Sequence, residues 1–142
     1  MIGFTCGAFD LLNAGHILMF AKVKKQCDWL LVGLQTDPTI DRPETKHKPV
    51  QSIIERYIQL KACKYVDDII VYQTEQDLMD ILDNWKIDIR FAGHDHRDTP
   101  LTTDKLKRQA ICKKRGIETR YLERGGRWST SELRKRVQEN KI

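Results

Sequence analysis

Five short apolar segments alternate with longer segments of helical periodicity along this 142-residue chain. The short segments are rich in the aliphatic, β-branched and aromatic residues typical of strands, and they are Ile2–Cys6, Trp29–Leu34, Asp68–Tyr72, Ile87–Ala92 and Glu118–Leu122. The predicted helices are Gly15–Gln26, Val50–Ala62, Glu75–Asn84, Thr103–Arg115 and Thr130–Glu139. Right-handed crossovers place the helices of such an alternation on both faces of a parallel sheet. The pattern therefore predicts a doubly wound α/β fold with a five-stranded parallel sheet.

Length and composition restrict the class of protein. A single domain over residues 1–142 is expected, because a chain of this length supports one hydrophobic core. No segment approaches the roughly 20 apolar residues that cross a bilayer, and the first residues do not resemble a secretion signal. We therefore expect a cytoplasmic protein without a membrane partner. Four widely spaced cysteines form no CxxC pair, which indicates reduced thiols and no disulfide framework or zinc site.

Positive charge is concentrated in the last third of the chain. Residues 105–142 contain thirteen Lys and Arg against four Glu, whereas the first 104 residues contain twelve against sixteen Asp and Glu. Such a region could face nucleic acid, an anionic substrate or solvent. Most of these charges fall on two predicted helices, so solvated helix faces are the favoured interpretation. No RNA- or DNA-binding motif is present, and no nucleic-acid partner is expected.

The turn between the first strand and the first helix carries the strongest indication of chemistry. It has the sequence GAFDLLNAGH, residues 7–16. Glycines in a strand-to-helix turn leave backbone N–H groups free to bind a phosphate. His16 lies near the helix start, where the helix dipole favours anions, and its imidazole can donate a hydrogen bond to a phosphate oxygen. The alternative is that His16 only packs against Phe20, four residues later.

Four segments resemble, in order and spacing, motifs of the cytidylyltransferase superfamily, and most closely those of glycerol-3-phosphate cytidylyltransferases. GAFDLLNAGH resembles G(T)FDxxHxGH, and KYVDDII (residues 64–70) resembles RYVDxVI. FAGHDH (residues 91–96) falls where those enzymes have an xMGxDW-like turn, and RGGRWSTSELRK (residues 124–135) is similar to RTxGxSTxxIK. The resemblance covers nearly the whole chain, and it implies a Rossmann-like fold, a homodimer and nucleotidyl transfer.

A few positions depart from the family pattern. Asn13 replaces the first His of HxGH, and Ala8 replaces the usual Thr. His94 and His96 stand where an acidic residue and Trp are expected, while Asp95 matches. An asparagine can donate a hydrogen bond to a phosphate but cannot become cationic. We therefore expect Asn13 to contribute less than a histidine would.

The resemblance implies that a phosphate oxygen of an acceptor attacks the α-phosphate of CTP or another nucleoside triphosphate, and that pyrophosphate leaves. The acceptor is a phosphorylated small molecule that is already anionic. Catalysis then consists of alignment and charge neutralisation, with Mg²⁺ carried by the nucleotide phosphates. The catalytic residues implied are His16, Lys46 and Arg124, with Lys48 as the alternative to Lys46 on the proline-containing loop of residues 36–49.

The same resemblance implies two sets of binding residues. The nucleotide set is Cys6, Gly7, Ala8, Phe9, Asn13, Gly15, His16, Lys46, Gly93, Asp95, Arg124, Ser129 and Thr130. The acceptor set is Asp10, Arg56 and Lys64. Surface ion pairing with neighbouring carboxylates is the alternative for Arg56 and Lys64.

Two further clusters have local interpretations. Ser129 and Glu132 form a capping box, which starts a helix and also creates an anion site. His94, Asp95, His96 and Asp98 have the donor types of a transition-metal site. Because no other His or Cys cluster completes that set, no protein-bound metal is predicted.

Three functions remain open at this point. The first is CMP transfer to glycerol 3-phosphate or to a similar polyol, sugar or amino-alcohol phosphate. The second is adenylyl transfer to a sugar phosphate, because the run Lys46–Pro49 has some of the character of heptose-precursor adenylyltransferases. The third is a nucleotide-binding protein with reduced turnover, which Asn13 would explain.

Overall fold

The structure, a computed structural model, describes residues 1–93, 100–123 and 129–139. The strands are β1 (Ile2–Gly7), β2 (Trp29–Gln35), β3 (Asp68–Tyr72), β4 (Ile89–Gly93) and β5 (Glu118–Leu122). The helices are α1 (Ala14–Lys24), α2 (Ile53–Ala62), α3 (Glu75–Asn84), α4 (Thr103–Arg115) and α5 (Thr130–Glu139). These elements confirm the predicted order, and the main difference is that α2 begins at Ile53. Ser52 caps that helix in a reciprocal capping box with Glu55, which fixes its start.

The strands form one parallel sheet in the order β3-β2-β1-β4-β5. The predicted doubly wound, Rossmann-like α/β fold is thereby confirmed. The chain moves outward from β1 to β3 and then returns to the other side of β1 for β4. Ligands of such sheets bind beyond the carboxyl ends of the strands, where the strand order reverses. The topology therefore places the crevice between the ends of β1 and β4.

Each face of the sheet has its own hydrophobic core. On the face covered by α1 and α2, the buried side chains include Phe20, Leu60 and Phe91. On the face covered by α3 and α4, they include Phe4 and Leu82. Burial on both faces explains why the strands consist of nearly continuous apolar residues. The two cores hold the strand ends in fixed positions, and the loops beyond those ends form the site.

Two observations bear on the expectations from composition. All four cysteines are free thiols. Within the described residues, no helix combines the length and the apolar character that a membrane span requires.

Candidate active site

A cavity of about 450 Å³ lies at the carboxyl ends of the strands. Nine of the predicted site residues line it, namely Cys6, Gly7, Ala8, Phe9, Asp10, His16, Lys46, Gly93 and Thr130. Among the described residues, the charged side chains of its wall are Arg42, Lys46, Arg90, Arg108 and Arg134 against Asp10 and Glu75. Positive charge therefore exceeds negative charge by three. A concave site with this imbalance suits an anionic ligand.

The turn after β1 has an unusual backbone. Phe9 and Leu11 have φ angles of 48° and 51°, in the left-handed region that bulky residues rarely adopt. Each such residue costs on the order of 1–3 kcal/mol and persists only where its surroundings hold it. The Phe9 ring is buried and packs against Phe20, and the Leu11 N–H donates to the side-chain oxygen of Gln51 at 2.8 Å. Strain of this kind is typical of functional sites.

The carboxylate of Asp10 organises this turn. It accepts hydrogen bonds from the backbone N–H groups of Val50 and Gln51 at 2.8 and 2.9 Å, and from the guanidinium of Arg134 at 2.7 Å. Burial acts to raise the pKa of Asp10, but these three donors outweigh it and hold the pKa below its usual value. Asp10 lines the cavity, as predicted. Its carboxylate is nevertheless already occupied, so the geometry favours a positioning role over direct contact with the acceptor.

His16 is held in one tautomer by the helix that it starts. Its Nδ1 atom accepts a hydrogen bond from the backbone N–H of Asn13 at 3.1 Å, so the neutral ring carries its proton on Nε2. Burial lowers the pKa of His16, with an opposing effect from Asp10. The ring also makes an edge contact with Phe9, at 5.7 Å between centroids. His16 therefore packs against Phe9 and also lines the cavity as a neutral hydrogen-bond donor.

Asn13 joins the starts of two helices. Its Oδ1 atom accepts from the N–H of Gly15 at 2.9 Å and caps α1. Its Nδ2 atom donates to the carbonyl of Leu11 at 2.9 Å and to the hydroxyl of Thr130, the first residue of α5, at 3.1 Å. The Thr130 hydroxyl in turn donates to the carbonyl of Asp10 at 3.2 Å. The amino-terminal ends of α1 and α5, which both favour anions, therefore meet at the cavity.

The predicted cap of the last helix is confirmed. The Ser129 hydroxyl accepts from the N–H of Glu132 at 3.1 Å. Ser129 itself is exposed and does not line the cavity, whereas Thr130 and Ser131 do.

The structure places two of the three predicted acceptor-binding residues away from the cavity. Arg56 is 2% exposed, and its guanidinium donates to four backbone carbonyls, those of Ala8, Gln35, Gln51 and Thr36. It therefore connects α2 to the ends of β1 and β2. This buried position corresponds neither to the predicted contact with the acceptor phosphate nor to a surface ion pair. Lys64 is exposed before β3, at the amino end of the strands, and its ammonium lies 5.2 Å from the ring centroid of Tyr65. A side chain at the amino ends of the strands lies at the opposite end of the sheet from the cavity, which is at the carboxyl ends.

Several arginines of the cavity wall are absent from the predicted set: Arg42, Arg90, Arg108 and Arg134. Arg90 has a recognisable signal, since it is a charge inside the apolar run of β4. Arg134 also has one, because it follows Thr130 at the i+4 spacing that shares a helix face. Arg42 and Arg108 come from a loop and from a highly charged helix. No local pattern distinguishes them from solvated residues.

Some predicted residues lie outside the described part of the chain. These are Asp95 and Arg124, together with His94, His96 and Asp98 of the considered metal set. In the parts of the chain that the structure describes, no group of three or more His, Cys, Asp and Glu side chains is placed to hold a metal ion. Lys46 lines the cavity from its loop, as predicted, and Lys48 does not.

Comparison with known proteins agrees with this geometry. The profile of the cytidylyltransferase-like family matches residues 4–136, which is most of the chain and includes both helix starts at the cavity. The chain belongs to the cytidylyltransferase-like family. The predicted superfamily is thereby confirmed.

The relatives of this cytidylyltransferase-like chain include proteins with different names. The bifunctional protein HldE of Caulobacter sp. (strain K31) is 35% identical over 95 residues, which are 67% of this chain and 19% of HldE. The ethanolamine-phosphate cytidylyltransferase of Arabidopsis thaliana is 38% identical over 65 residues, which are 46% of this chain and 15% of that enzyme. The chain therefore spans about a fifth or less of these relatives.

A solved structure matches nearly the whole fold. It is the lipopolysaccharide core biosynthesis protein from Thermoplasma volcanium GSS1, with a TM-score of 0.66 and 28% sequence identity. The match covers 88% of this chain and 96% of that protein. In length and fold this cytidylyltransferase-like chain is thus similar to a protein that is also small.

Proposed function

We propose that this chain transfers a nucleoside monophosphate, CMP from CTP, to a phosphorylated small molecule and releases pyrophosphate. The acceptor in this proposal is glycerol 3-phosphate or a similar polyol, sugar or amino-alcohol phosphate. The observation that carries the proposal is the position of His16. Its ring is partly buried at the start of α1, its tautomer is fixed by Asn13, and it lines a cavity with excess positive charge.

The reaction requires no strong base. An acceptor phosphate oxygen, already ionised, attacks the α-phosphorus and forms a P–O bond. The bond from that phosphorus to the bridging oxygen breaks, and pyrophosphate leaves with the electron pair. The role of the protein is to align the two phosphates and to neutralise their charge.

The chain offers donors for both tasks. The Nε2–H of His16 and the positive end of the α1 dipole serve the α-phosphate in the transition state. Lys46 reaches the phosphates from the loop on the other side of the cavity, which can close over the site. The start of α5 adds a second helix dipole close to Asn13 and Thr130. Arg124, which lies outside the described residues, completes the proposed catalytic set.

Mg²⁺ belongs to this proposal as an ion that enters with the triphosphate. The two carboxylates that line the described cavity are both engaged, Asp10 by Arg134 and Glu75 by Arg42 and Arg108. Neither offers a free ligand set for a resident ion. A homodimer, implied by the resemblance, is likewise part of the proposal.

Adenylyl transfer to a sugar phosphate is the second candidate. It is favoured by the similarity to HldE and by the run Lys46–Pro49. The two candidates share the same phosphate chemistry and differ in the base that the site accepts.

The test measures pyrophosphate release with CTP, ATP, UTP and GTP against a panel of phosphorylated acceptors in the presence of Mg²⁺. We expect CTP to be preferred. His16→Ala is expected to lower kcat by about 10²- to 10³-fold, as loss of one transition-state donor does, while circular dichroism shows an intact fold. Leu18→Ala, at an exposed position of the same helix, is the matched control. Preference for ATP supports the second candidate, and unchanged turnover in His16→Ala contradicts the mechanism.

A further inference from the structure

The cavity contains a second group of cations on the α3–α4 side of the sheet. We call it the arginine pocket and define it by Arg42, Arg90, Arg108, Tyr72 and Glu75, all of which line the cavity. The side chain of Arg108 is 9% exposed and forms an ion pair with Glu75. Arg42 lies 3.3 Å from the other oxygen of the same carboxylate. One carboxylate is therefore shared by two guanidinium groups.

Arg90 has no such partner. It makes no hydrogen bond or ion pair to another described residue, although its Nε atom is buried. The Nε atom of Arg108 is also buried without a hydrogen-bond partner. Buried charges are costly unless they are paired and hydrogen-bonded. Among the described residues, three guanidinium groups around one wall carboxylate leave the pocket with unsatisfied donors and excess positive charge.

Other groups near the pocket, within the part of the chain that the structure describes, do not remove this excess. Asp41 accepts from the backbone N–H of Glu75, but its side chain is exposed and does not line the cavity. The hydroxyl of Tyr72 stays protonated at neutral pH, because burial raises its pKa and the neighbouring Cys6 raises it further. A protonated hydroxyl is a donor and adds no negative charge.

At the carboxyl ends of the strands, the arginine pocket and His16 lie on different faces of the sheet. Arg90 belongs to the face of Phe4, its neighbour in the register of β1 and β4, and that face packs against α3 and α4. His16 belongs to α1, which covers the opposite face. The two phosphates that react must approach to about 3–3.5 Å, beside His16 in the proposed mechanism. A group bound in the arginine pocket is therefore a different part of the substrates.

We propose that the arginine pocket binds a second anionic group of the acceptor, a carboxylate or a phosphate at the end remote from the reacting phosphate. This proposal rests on the proposed function. The triphosphate is already served by His16, Lys46 and the two helix starts, and a nucleoside base is uncharged and needs no guanidinium cluster. An anionic oxygen group on the acceptor neutralises the excess charge of Arg42, Arg90 and Arg108, which line the cavity, and guanidinium groups bind carboxylate and phosphate oxygens in matching geometry.

The test compares two probes with the same carbon skeleton and the same phosphate. Glycerol 3-phosphate ends in a hydroxymethyl group, and 3-phosphoglycerate ends in a carboxylate. We expect calorimetric titration of the full chain to show that 3-phosphoglycerate binds about tenfold or more tightly, as one charge-assisted contact provides. Arg90→Gln and Arg42→Gln are each expected to remove most of this preference while glycerol 3-phosphate and CTP affinities change by about twofold or less.

The control is Arg115→Gln, on the same helix as Arg108 but paired with Asp83 at the surface, which should leave the preference unchanged. Equal affinity for the two probes, or no binding of either, overturns the proposal. Equal loss of both probes in Arg90→Gln also overturns it, since the pocket would then hold the shared phosphate. Weakened CTP binding in Arg90→Gln overturns it as well, in favour of a nucleotide site.

The same protein samples separate this proposal from the proposed function. A preference for 3-phosphoglycerate without pyrophosphate release from any nucleoside triphosphate supports the pocket and contradicts nucleotidyl transfer. Pyrophosphate release without a preference supports nucleotidyl transfer and overturns the pocket.

Discussion

The guanidinium of Arg134 donates a hydrogen bond to the carboxylate of Asp10 at 2.7 Å and joins the last helix to the first turn across 124 positions of the chain. The same carboxylate accepts from the N–H groups of Val50 and Gln51, just before α2. Three separate segments are thus held around one buried charge. Because these segments form the wall of the cavity, Asp10 couples the stability of the fold to the shape of the site.

The first prediction concerns acid stability. The pKa of Asp10 in the folded state is below its ordinary value, so its contribution is present above the unfolded pKa of about 3.9 and is lost as pH falls through the folded value. Asp10→Asn is expected to lower the free energy of unfolding by about 1–3 kcal/mol at pH 7. It should also make stability fall less steeply between about pH 5 and pH 2. Thermal denaturation followed by circular dichroism across this range measures both effects.

The control for this prediction is Asp80→Asn, which removes an exposed carboxylate of α3. It should leave the free energy of unfolding at pH 7 within about 0.5 kcal/mol of the parent. An Asp10→Asn variant as stable as the parent would contradict this prediction. It would show that the negative charge of Asp10 does not strengthen the three hydrogen bonds that it accepts.

The second prediction concerns the tautomer and titration of His16. Burial lowers the pKa of His16, so its NMR titration midpoint is expected below the model-peptide value of 6.5. A histidine with a depressed pKa stabilises the fold above the unfolded pKa, and that contribution is lost as pH falls through the folded pKa. The neutral form should be the Nε2–H tautomer, because Nδ1 accepts from the Asn13 N–H. Nitrogen-15 shifts identify the tautomer, and His16→Gln identifies the resonance. An Nδ1–H tautomer contradicts the proposed donor geometry.

The third prediction separates the cap of α1 from its chemistry. Asn13→Ala loses both the cap and the hydrogen bond to Thr130, and is expected to cost about 1 kcal/mol of stability. Asn13→Asp keeps an oxygen that caps the helix but replaces the Nδ2 donor with negative charge. It should retain stability within about 1 kcal/mol and still lower kcat/KM by about tenfold or more, through repulsion of the phosphates. Parallel thermal denaturation and pyrophosphate release measure the two effects. Full activity in Asn13→Asp would place Asn13 outside the phosphate site.

The fourth prediction contrasts Arg56 with Lys64. Arg56→Met leaves four backbone carbonyls without their donor, so it is expected to lower the free energy of unfolding by about 3 kcal/mol or more. Lys64→Met changes an exposed residue at the far edge of the sheet and should alter stability by about 0.5 kcal/mol or less. It should leave the KM for the acceptor unchanged. Urea denaturation and steady-state kinetics distinguish these outcomes, and a raised acceptor KM in Lys64→Met would restore the role implied by the family motif.

Local sequence patterns were sufficient to predict the order of the strands and helices and the positions where the two helices at the site begin. The alternation of short apolar runs with amphipathic segments predicts a parallel sheet, because only βα repeats with both faces covered satisfy it. Ser129 and the turn before His16 have local signatures as well, since caps and turns depend on hydrogen bonds between residues a few positions apart. These parts of the site could be located before the structure was known.

The tertiary structure decided which charges meet. The family resemblance implies the same acceptor-binding role for Arg56 and Lys64, yet Arg56 is buried among carbonyls and Lys64 is exposed at the amino ends of the strands. Arg90 and Arg108 come together only because β4 and α4 return to the other side of β1. A charge on a helix or strand has no local signal for its distant partner, because its environment depends on strand order and packing. The sequence by itself therefore determined the fold class and the phosphate-binding turn, and the packing of distant segments determined the charged lining of the cavity.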